Sequence, residues 1–227
     1  MGHFISLKNL LAHKMVVGAA ISVFYCPIMA LPLMVLEAPI KDPELARCID
    51  EHMSRQQIKD AAVLLELQCA NRGIVSTEGL EQLTQLQTLN LFNNRIQNFS
   101  IPTMPQLRNL NIAGNQLSSL TLVNFPQLQT LLVFNNQLQN LTLNNLPELT
   151  SLKGNGNQLL EWRYEKLPKL EKVMLFNNKM PSIDIYHLPA LKIMDVRQNP
   201  MPDPLYDAMN KMTGITFMHD GNAPDWK

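Results

Sequence analysis

Residues 107–148 read LRNLNIAGNQLSSLTLVNFPQ and then LQTLLVFNNQLQNLTLNNLPE, two consecutive copies of one pattern, of which the first begins at Leu107 and the second at Leu128. In both copies, three apolar residues, an asparagine and a further apolar residue follow the spacing L-x-x-L-x-L-x-x-N-x-L. Outward from this stretch the same spacing holds in six units, which begin at Leu86, Leu107, Leu128, Leu149, Leu170 and Leu191. Five columns that keep one period cannot arise by chance, and they indicate a stack of repeats in which each unit packs on the next.

Each column of the repeat has a physical role. Apolar residues that alternate after the first leucine predict a short strand whose leucines point into the core. Stacked copies of this strand predict a parallel sheet on the concave face of a curved solenoid. The asparagines are predicted to turn the chain while their amides satisfy backbone groups of neighbouring coils. This column consists of Asn94, Asn115, Asn136, Asn157, Asn178 and Asn199.

The second half of each repeat carries its own pattern. Alternating apolar pairs such as Leu120 and Leu122 precede a proline that recurs at the same position of successive units, from Pro105 to Pro189. Alternation followed by a fixed proline predicts a short extended segment on the convex side, with no room for a helix.

With these columns the sequence resembles the leucine-rich-repeat family, from about residue 64 to the C-terminus. The repeat length and the convex pattern are similar to those of bacterial extracytoplasmic repeat proteins of the internalin type. The resemblance implies an α/β repeat solenoid, a horseshoe with a parallel concave sheet, short extended convex segments and helical caps at both ends. The predicted division is a leader at 1–36, an N-terminal cap at 37–63, repeats at 64–201 and a C-terminal cap at 202–227.

The leader is predicted to be a signal peptide or a membrane anchor. Lys8 and Lys14 are the only full charges before Glu37, and residues 15–36 are uncharged and apolar. A positively charged start followed by an apolar run is typical of a secretory signal, with cleavage after Ala30 as the candidate. The run is also long enough, at roughly 20 residues, to span a bilayer. We therefore expect an extracytoplasmic protein, periplasmic or secreted, that touches a membrane only if this segment is uncleaved.

The caps are predicted from helix signals and cysteines. Asp42 before Pro43 is typical of a helix start, and Ser54 with Gln57 predicts the start of a second cap helix. Asp203 followed by proline predicts a short helix at the other end, after which Ile215 and Phe217 continue two leucine columns.

Two of the three cysteines are expected to meet at the N-terminal cap. Cys48 lies on the inward face of the first helix, and Cys69 occupies a leucine column of a degenerate first coil. In an oxidising compartment we expect a Cys48–Cys69 disulfide, with two buried thiols as the alternative. Gly154 also departs from its column, where we expect a void or a bend unless the neighbouring side chains lean in, and we expect this coil to be the least regular.

The residues between the leucines are predicted to form a partner-binding concave face. Phe92, Phe134 and Phe176 recur in every second unit, and with coils ~4.8 Å apart we expect their rings roughly 10 Å apart with slots between them. Aromatic residues and methionine bordered by charges are typical of protein-binding surfaces. The alternative is that these rings only pack on their neighbours. The predicted binding residues are Asn90, Phe92, Leu132, Phe134, Lys153, Met174, Phe176, Asp195 and Arg197.

Composition and motifs exclude several functional classes. Lys plus Arg equals Asp plus Glu at 19 each, so no net charge attracts nucleic acid. The sequence contains no glycine-rich phosphate loop, H-E-x-x-H, G-x-S-x-G or paired-carboxylate motif, and we predict no catalytic residue, cofactor or metal site. The predicted function is recognition of a protein or extended peptide, and the alternatives are a glycan-binding or a structural cell-envelope module.

Overall fold

The computed structural model describes residues 40–101 and 104–222, and these residues stack as successive coils behind a parallel sheet. Eight short strands form this concave sheet in the order β1-β2-β3-β5-β7-β9-β10-β11. Their bounds are Glu66–Gln68 (β1), Thr88–Asn90 (β2), Asn109–Asn111 (β3), Thr130–Leu132 (β5), Ser151–Lys153 (β7), Lys172–Met174 (β9), Ile193–Asp195 (β10) and Thr216–Met218 (β11). Equivalent residues of successive repeats face each other, as Leu89 faces Leu110 and Leu110 faces Leu131. The predicted parallel concave sheet is confirmed.

A second parallel sheet lies on the convex side of three coils. It consists of Ser119–Val123 (β4), Asn140–Asn144 (β6) and Glu161–Glu165 (β8). Leu120 and Leu122 are buried while their neighbours along the strand are exposed, so the strand alternates between core and solvent. In the third strand, Trp162 stands opposite Leu141 and is buried in the same way. The predicted extended convex segments are confirmed in these coils.

The asparagine column forms a ladder of buried amides. Asn136 shows the geometry, since its Nδ2 donates to the carbonyl of Val133 at 3.1 Å and to that of Ile112, in the preceding coil, at 3.1 Å. Its Oδ1 accepts from the backbone N–H of Leu117, also in the preceding coil, at 3.1 Å. Each asparagine therefore satisfies its own turn and reaches one coil back, and the predicted structural role is confirmed.

The first coil has an arginine where the later coils have the ladder asparagine. Arg72 occupies the asparagine position there, and its backbone N–H donates to Oδ1 of Asn94 at 3.0 Å. The backbone N–H of Ile74 donates to the same oxygen at 3.1 Å. Because no coil precedes this one in the described chain, a side chain at that position has no earlier carbonyl to reach. The carbonyl of Cys69, in the turn of the first coil itself, accepts from Nδ2 of Asn94 at 2.9 Å, and arginine is therefore tolerated.

A helix covers the N-terminal end of the stack. The helix α1 spans Pro43–Gln56, and Oδ1 of Asp42 accepts the N–H groups of Glu44 and Leu45 at its start. Oδ2 of Asp42 accepts from the N–H of Val75 at 2.7 Å, which ties the helix to the first coil. The predicted helix start is confirmed.

The prediction of a second cap helix from Ser54 and Gln57 is wrong. Ser54 lies in the last turn of α1, and Gln57 ends the helix in the left-handed conformation at φ 56°. Its backbone N–H bonds back to carbonyls of that last turn, so the chain cannot start a new helix there. A short 3-10 turn at Ala61–Val63 follows instead, and the Asp60 side chain accepts a backbone N–H at its start.

A disulfide joins the cap helix to the first coil. Cys48 and Cys69 are bonded, with their Cα atoms 5.9 Å apart, as predicted. One helical turn further on, Nε2 of His52 accepts from the N–H of Gln68 at 3.2 Å and Nδ1 donates to the carbonyl of Cys48 at 2.9 Å. The helix thereby satisfies a backbone donor at the free edge of β1, where an unpaired N–H would otherwise be open to aggregation.

The C-terminal end is covered by the helix α2, Asp203–Lys211, which buries Tyr206 and Met209. The strand β11 follows it, as expected, but in a different register. Phe217 faces Met194, the position that we expected Ile215 to take. The helix and the turn after it make this coil longer than the earlier units, and the extra length shifts every later residue.

At Gly154 the neighbouring side chains lean in, which is the alternative to the void, and the coil keeps its strand pairing. A Cβ placed on Gly154 would lie 3.0 Å from Cδ2 of Leu175 and 3.5 Å from Cγ2 of Val133, so those side chains already occupy the space. The strands on either side keep their pairing, with Lys153 opposite Met174. Large neighbours in the same column have filled the position that glycine leaves open.

The C-terminal cap should weaken in mild acid because of His219. This ring is buried and stacks on Tyr206 with 4.7 Å between centroids, and burial holds the pKa of His219 below 6.5, although Asp220 opposes the shift. The unfolded chain takes up the proton near pH 6.5, whereas the folded chain resists it, so stability is present above that pH and is lost as the pH falls through it. We expect the melting temperature to fall by about a few degrees between pH 7 and pH 5. His219→Gln should flatten this dependence in differential scanning fluorimetry, and equal pH slopes for the two proteins would contradict the assignment.

Candidate binding site on the concave face

The concave face is organised in rows that run across the coils. Because the middle residue of each strand points inward, the first and third residues face outward, and the strand register aligns them from coil to coil. The third residues form one row, Asn90, Asn111, Leu132, Lys153, Met174 and Asp195. Two residues further along each coil come Phe92, Ala113, Phe134, Asn155, Phe176 and Arg197. All nine predicted binding residues therefore occupy two neighbouring rows of one face.

The phenylalanines are closer together than the coil spacing suggests. The ring centroids of Phe92 and Phe134 are 6.2 Å apart and tilted by 43°, so the expected separation and the open slot are both wrong for this pair. Ala113 lies on the coil between them and has no exposed surface. Its small side chain leaves room into which both rings lean. The two rings remain half-buried, and they form one continuous apolar surface.

The third phenylalanine is paired with a cation. The guanidinium carbon of Arg197 lies 6.0 Å from the centroid of the Phe176 ring. The same guanidinium donates to both carboxylate oxygens of Asp195, from Nε at 2.9 Å and from Nη2 at 2.6 Å. Its side chain is 52% exposed whereas that of Asp195 is 3% exposed. Asp195 therefore positions Arg197, and only the arginine has donors left for a partner.

The beginning of the face is mainly polar. A shallow depression of about 130 Å³ is lined mainly by Asn, Gln and Thr side chains from the first four strands of the sheet. Nδ2 of Asn90 donates to Oε1 of Gln68 at 2.7 Å, and Nδ2 of Asn109 approaches Oγ1 of Thr88 at 3.4 Å. Of the residues that line the depression, only Asn90 and Leu132 were predicted to bind a partner. The signal for the others was the run of uncharged polar residues at the outward strand positions.

Other kinds of site receive no support from the described chain. Within residues 40–101 and 104–222, no group of three or more His, Cys, Asp or Glu side chains is arranged to hold a metal ion. In the same ranges, every helix is too short or too polar to cross a bilayer. The predicted leader lies outside the described residues.

Comparison with known proteins agrees with this architecture. A family model for two copies of leucine-rich repeats matches residues 84–124. The described chain has the leucine-rich-repeat fold. This fold is typical of protein–protein interaction modules, and proteins that have it are generally binding modules without enzymatic activity. No curated protein matches this chain.

Several solved structures are similar to this leucine-rich-repeat protein. YopM, a leucine-rich effector protein from Yersinia pestis, is 23% identical with a TM-score of 0.54, over 78% of this chain and 52% of YopM. YopM from Yersinia enterocolitica is 20% identical with a TM-score of 0.47, over 78% of this chain and 40% of that one. The functional domain of InlJ from Listeria monocytogenes, which includes a cysteine ladder, is 18% identical with a TM-score of 0.39, over 71% of this chain and 54% of that one. The chain thus spans about half the length of these structures, and the likeness to the first shows the fold alone.

Proposed function

We propose that this protein is an exported binding protein that recognises a protein or an extended peptide with its concave face. The observation that carries the proposal is the row of half-buried phenylalanines, Phe92, Phe134 and Phe176, on a face otherwise made of short polar strands. Leu132 and Met174 extend this apolar area in the neighbouring row. Aromatic side chains surrounded by polar groups supply most of the binding energy at protein interfaces.

The rigidity of the support favours recognition. Strands fix the residues of the outward rows, and the asparagine ladder holds each coil against the one before it. Phe134 and Arg197 are further held by contacts with Phe92 and Asp195. A surface that is ordered before binding loses little conformational entropy when a partner arrives, so less of the contact energy is spent on ordering.

Export is supported by the cap and by the leader. The disulfide between Cys48 and Cys69 suits an oxidising compartment, because thiols in the cytosol are kept reduced. The charged and then apolar sequence before residue 37 is typical of a secretory signal. Both features support the proposal that the partners of the concave face are extracytoplasmic.

The proposal is tested by removing two rings. The double variant Phe134→Ser and Phe176→Ser should weaken partner binding by about 1000-fold, because each truncated aromatic anchor accounts for roughly 2 kcal/mol. The melting temperature should fall by only a few degrees, since the rings are half-buried. The measurement is quantitative mass spectrometry of proteins captured from native host extract, followed by titration with the purified partner.

The matched control is Tyr186→Ser. Tyr186 belongs to the convex side, where it is 68% exposed, and this variant should bind as the wild type does. Equal loss in the control and the double variant would contradict a concave site. An unfolded double variant would mean that the rings pack only on their neighbours. Capture that survives protease treatment of the extract would identify a glycan in place of a protein.

A further inference from the structure

Two lysines of the concave face have no counter-charge. Lys153 on β7 and Lys172 on β9 are both exposed. Among the described residues, the ammonium group of neither forms an ion pair. By strand register, the coils next to Lys153 present Leu132 and Met174 at its position. Positive charge therefore accumulates on this half of the face.

Neighbouring lysines show that the repeat readily neutralises such charges. Nζ of Lys169 lies 2.7 Å from a carboxylate oxygen of Glu148, which occupies the equivalent position of the preceding coil. Lys192 and Glu171 form the same kind of pair between successive coils at 2.7 Å. At the equivalent positions of the neighbouring coils, Lys153 faces Leu132 and Met174, and Lys172 faces Ser151 and Ile193. Lys153 and Lys172 thus differ from Lys169 and Lys192 in that no carboxylate stands at the equivalent position of a neighbouring coil.

The acidic groups of the face do not compensate for these lysines. Asp195 is buried, and both of its carboxylate oxygens accept from Arg197. Glu66 lies on β1, which is separated from β7 by three intervening strands, and its carboxylate accepts from Gln68 at 2.6 Å. Asp220 lies near Arg197, at the far end of the sheet. Lys153 and Lys172 are consequently available to an anionic ligand.

Each of the two lysines has an apolar neighbour in its own row. Lys153 lies between Leu132 and Met174 in one row, and in the parallel row Lys172 lies next to Ile193. The two lysines sit on adjacent strands, two residues out of step. With strands ~4.8 Å apart and a rise of ~3.3 Å per residue, their Cα atoms are separated by roughly 8 Å. Alternate side chains of an extended peptide are about 7 Å apart, so two of its carboxylates can reach the two ammonium groups.

We propose that this half of the concave face binds an extended acidic segment of a partner protein. Carboxylates two residues apart in the segment pair with Lys153 and Lys172, and apolar side chains on the same side of the segment, two residues before or after this pair, lie on Leu132 and Met174. Charge complementarity selects the segment, while the apolar contacts with the ring row supply affinity. This inference rests on the proposed function, to which it adds the chemistry of the partner.

The test uses three synthetic peptides with the full chain. In the first peptide two glutamates stand two residues apart, leucines stand two residues further out on either side, and alanine fills the positions between; in the other two peptides glutamine or lysine replaces glutamate. Isothermal titration at about 0.05 M salt should show that the glutamate peptide binds at least about tenfold more tightly than the glutamine peptide. The lysine peptide should not bind. At about 0.3 M salt the advantage of glutamate should shrink, since exposed charge pairs are screened.

Paired variants assign the effect to the two lysines. Lys153→Gln with Lys172→Gln should abolish the preference for glutamate. Lys169→Gln with Lys192→Gln removes the same charge from lysines that already have partners, and it should leave the preference unchanged. The peptide comparison on the wild-type protein remains decisive even if a variant fails to fold.

Equal affinity for the glutamate and glutamine peptides would overturn the inference, and so would a glutamate peptide that does not bind. A preference that persists in the Lys153 and Lys172 variant would overturn it as well. Failure of the inference alone is recognisable, because capture of the native partner would still require Phe134 and Phe176. Failure of the proposed function would leave that capture unaffected by loss of the rings.

Discussion

Replacing Asn136 with alanine is expected to lower the free energy of unfolding by about 3 kcal/mol or more. The substitution removes two donors and one acceptor, and it leaves the N–H of Leu117 buried without this bond. The carbonyls of Val133 and Ile112 each lose one bond and keep one, from Asn157 and Asn115. The orphaned N–H costs about 1–3 kcal/mol and each lost hydrogen bond about 0.5–1.5 kcal/mol, although water that enters the space can recover part of this. Urea denaturation followed by circular dichroism gives the free energy directly.

Asn140→Ala provides the matched control for this prediction. Asn140 is exposed at the start of β6, on the convex side, and its loss should change stability by less than about 0.5 kcal/mol. Asn136→Asp should destabilise at least as much as alanine at neutral pH, since the carboxylate keeps an acceptor for the Leu117 N–H but places a buried charge against the carbonyl oxygens of Val133 and Ile112. If Asn136→Ala and Asn140→Ala were equally stable, the ladder would have no energetic importance.

Loss of the Cys48–Cys69 disulfide is the second large expected effect. The double variant Cys48→Ser and Cys69→Ser should be less stable by about 3 kcal/mol, because the bond closes a loop with a sequence separation of 21 residues. The helix α1 would then be held to the first coil mainly by Asp42 and His52. We expect this end of the stack to exchange its amide hydrogens first, as hydrogen-exchange mass spectrometry would show.

A control variant and an alkylation experiment test the disulfide prediction. Cys26→Ser should leave stability unchanged, since this cysteine belongs to the predicted leader. In protein isolated from its native host, Cys48 and Cys69 should react with an alkylating agent only after reduction. Alkylation of both without reduction would show that the cap holds thiols in the cell, which would contradict the proposed oxidising compartment.

The solenoid could be predicted from the sequence because its stabilising contacts repeat. A side chain that recurs at the same position of every unit meets its own equivalent in the next coil, so one correctly interpreted unit determines the sheet, the asparagine ladder and the convex strands. Cys48 and Cys69 could also be assigned, since a helix face and a leucine column both point toward the core. The placement of the nine face residues follows from the same periodicity.

Features that depend on one residue in its particular surroundings could not be predicted. The rings of Phe92 and Phe134 meet because Ala113 between them is small, and coil spacing alone does not contain that information. Leu175 fills the space beside Gly154 through a choice of rotamer. The left-handed conformation of Gln57 ends α1 at a residue that carries no sequence signal for it. The pairing of Asp195 with Arg197 likewise depends on side-chain geometry.

The backward reach of each ladder asparagine bears on how the gene can evolve. Deleting or duplicating one whole unit, such as residues 128–148, would give every remaining asparagine the same kind of partner one coil earlier. Recombination between repeats can therefore change the copy number without harming the fold. The phenylalanines, however, recur only in every second unit, so a gain or loss of one unit breaks their alternation whereas a change of two units preserves it. Among natural variants of this gene, selection for partner binding should retain copy numbers that differ by an even number.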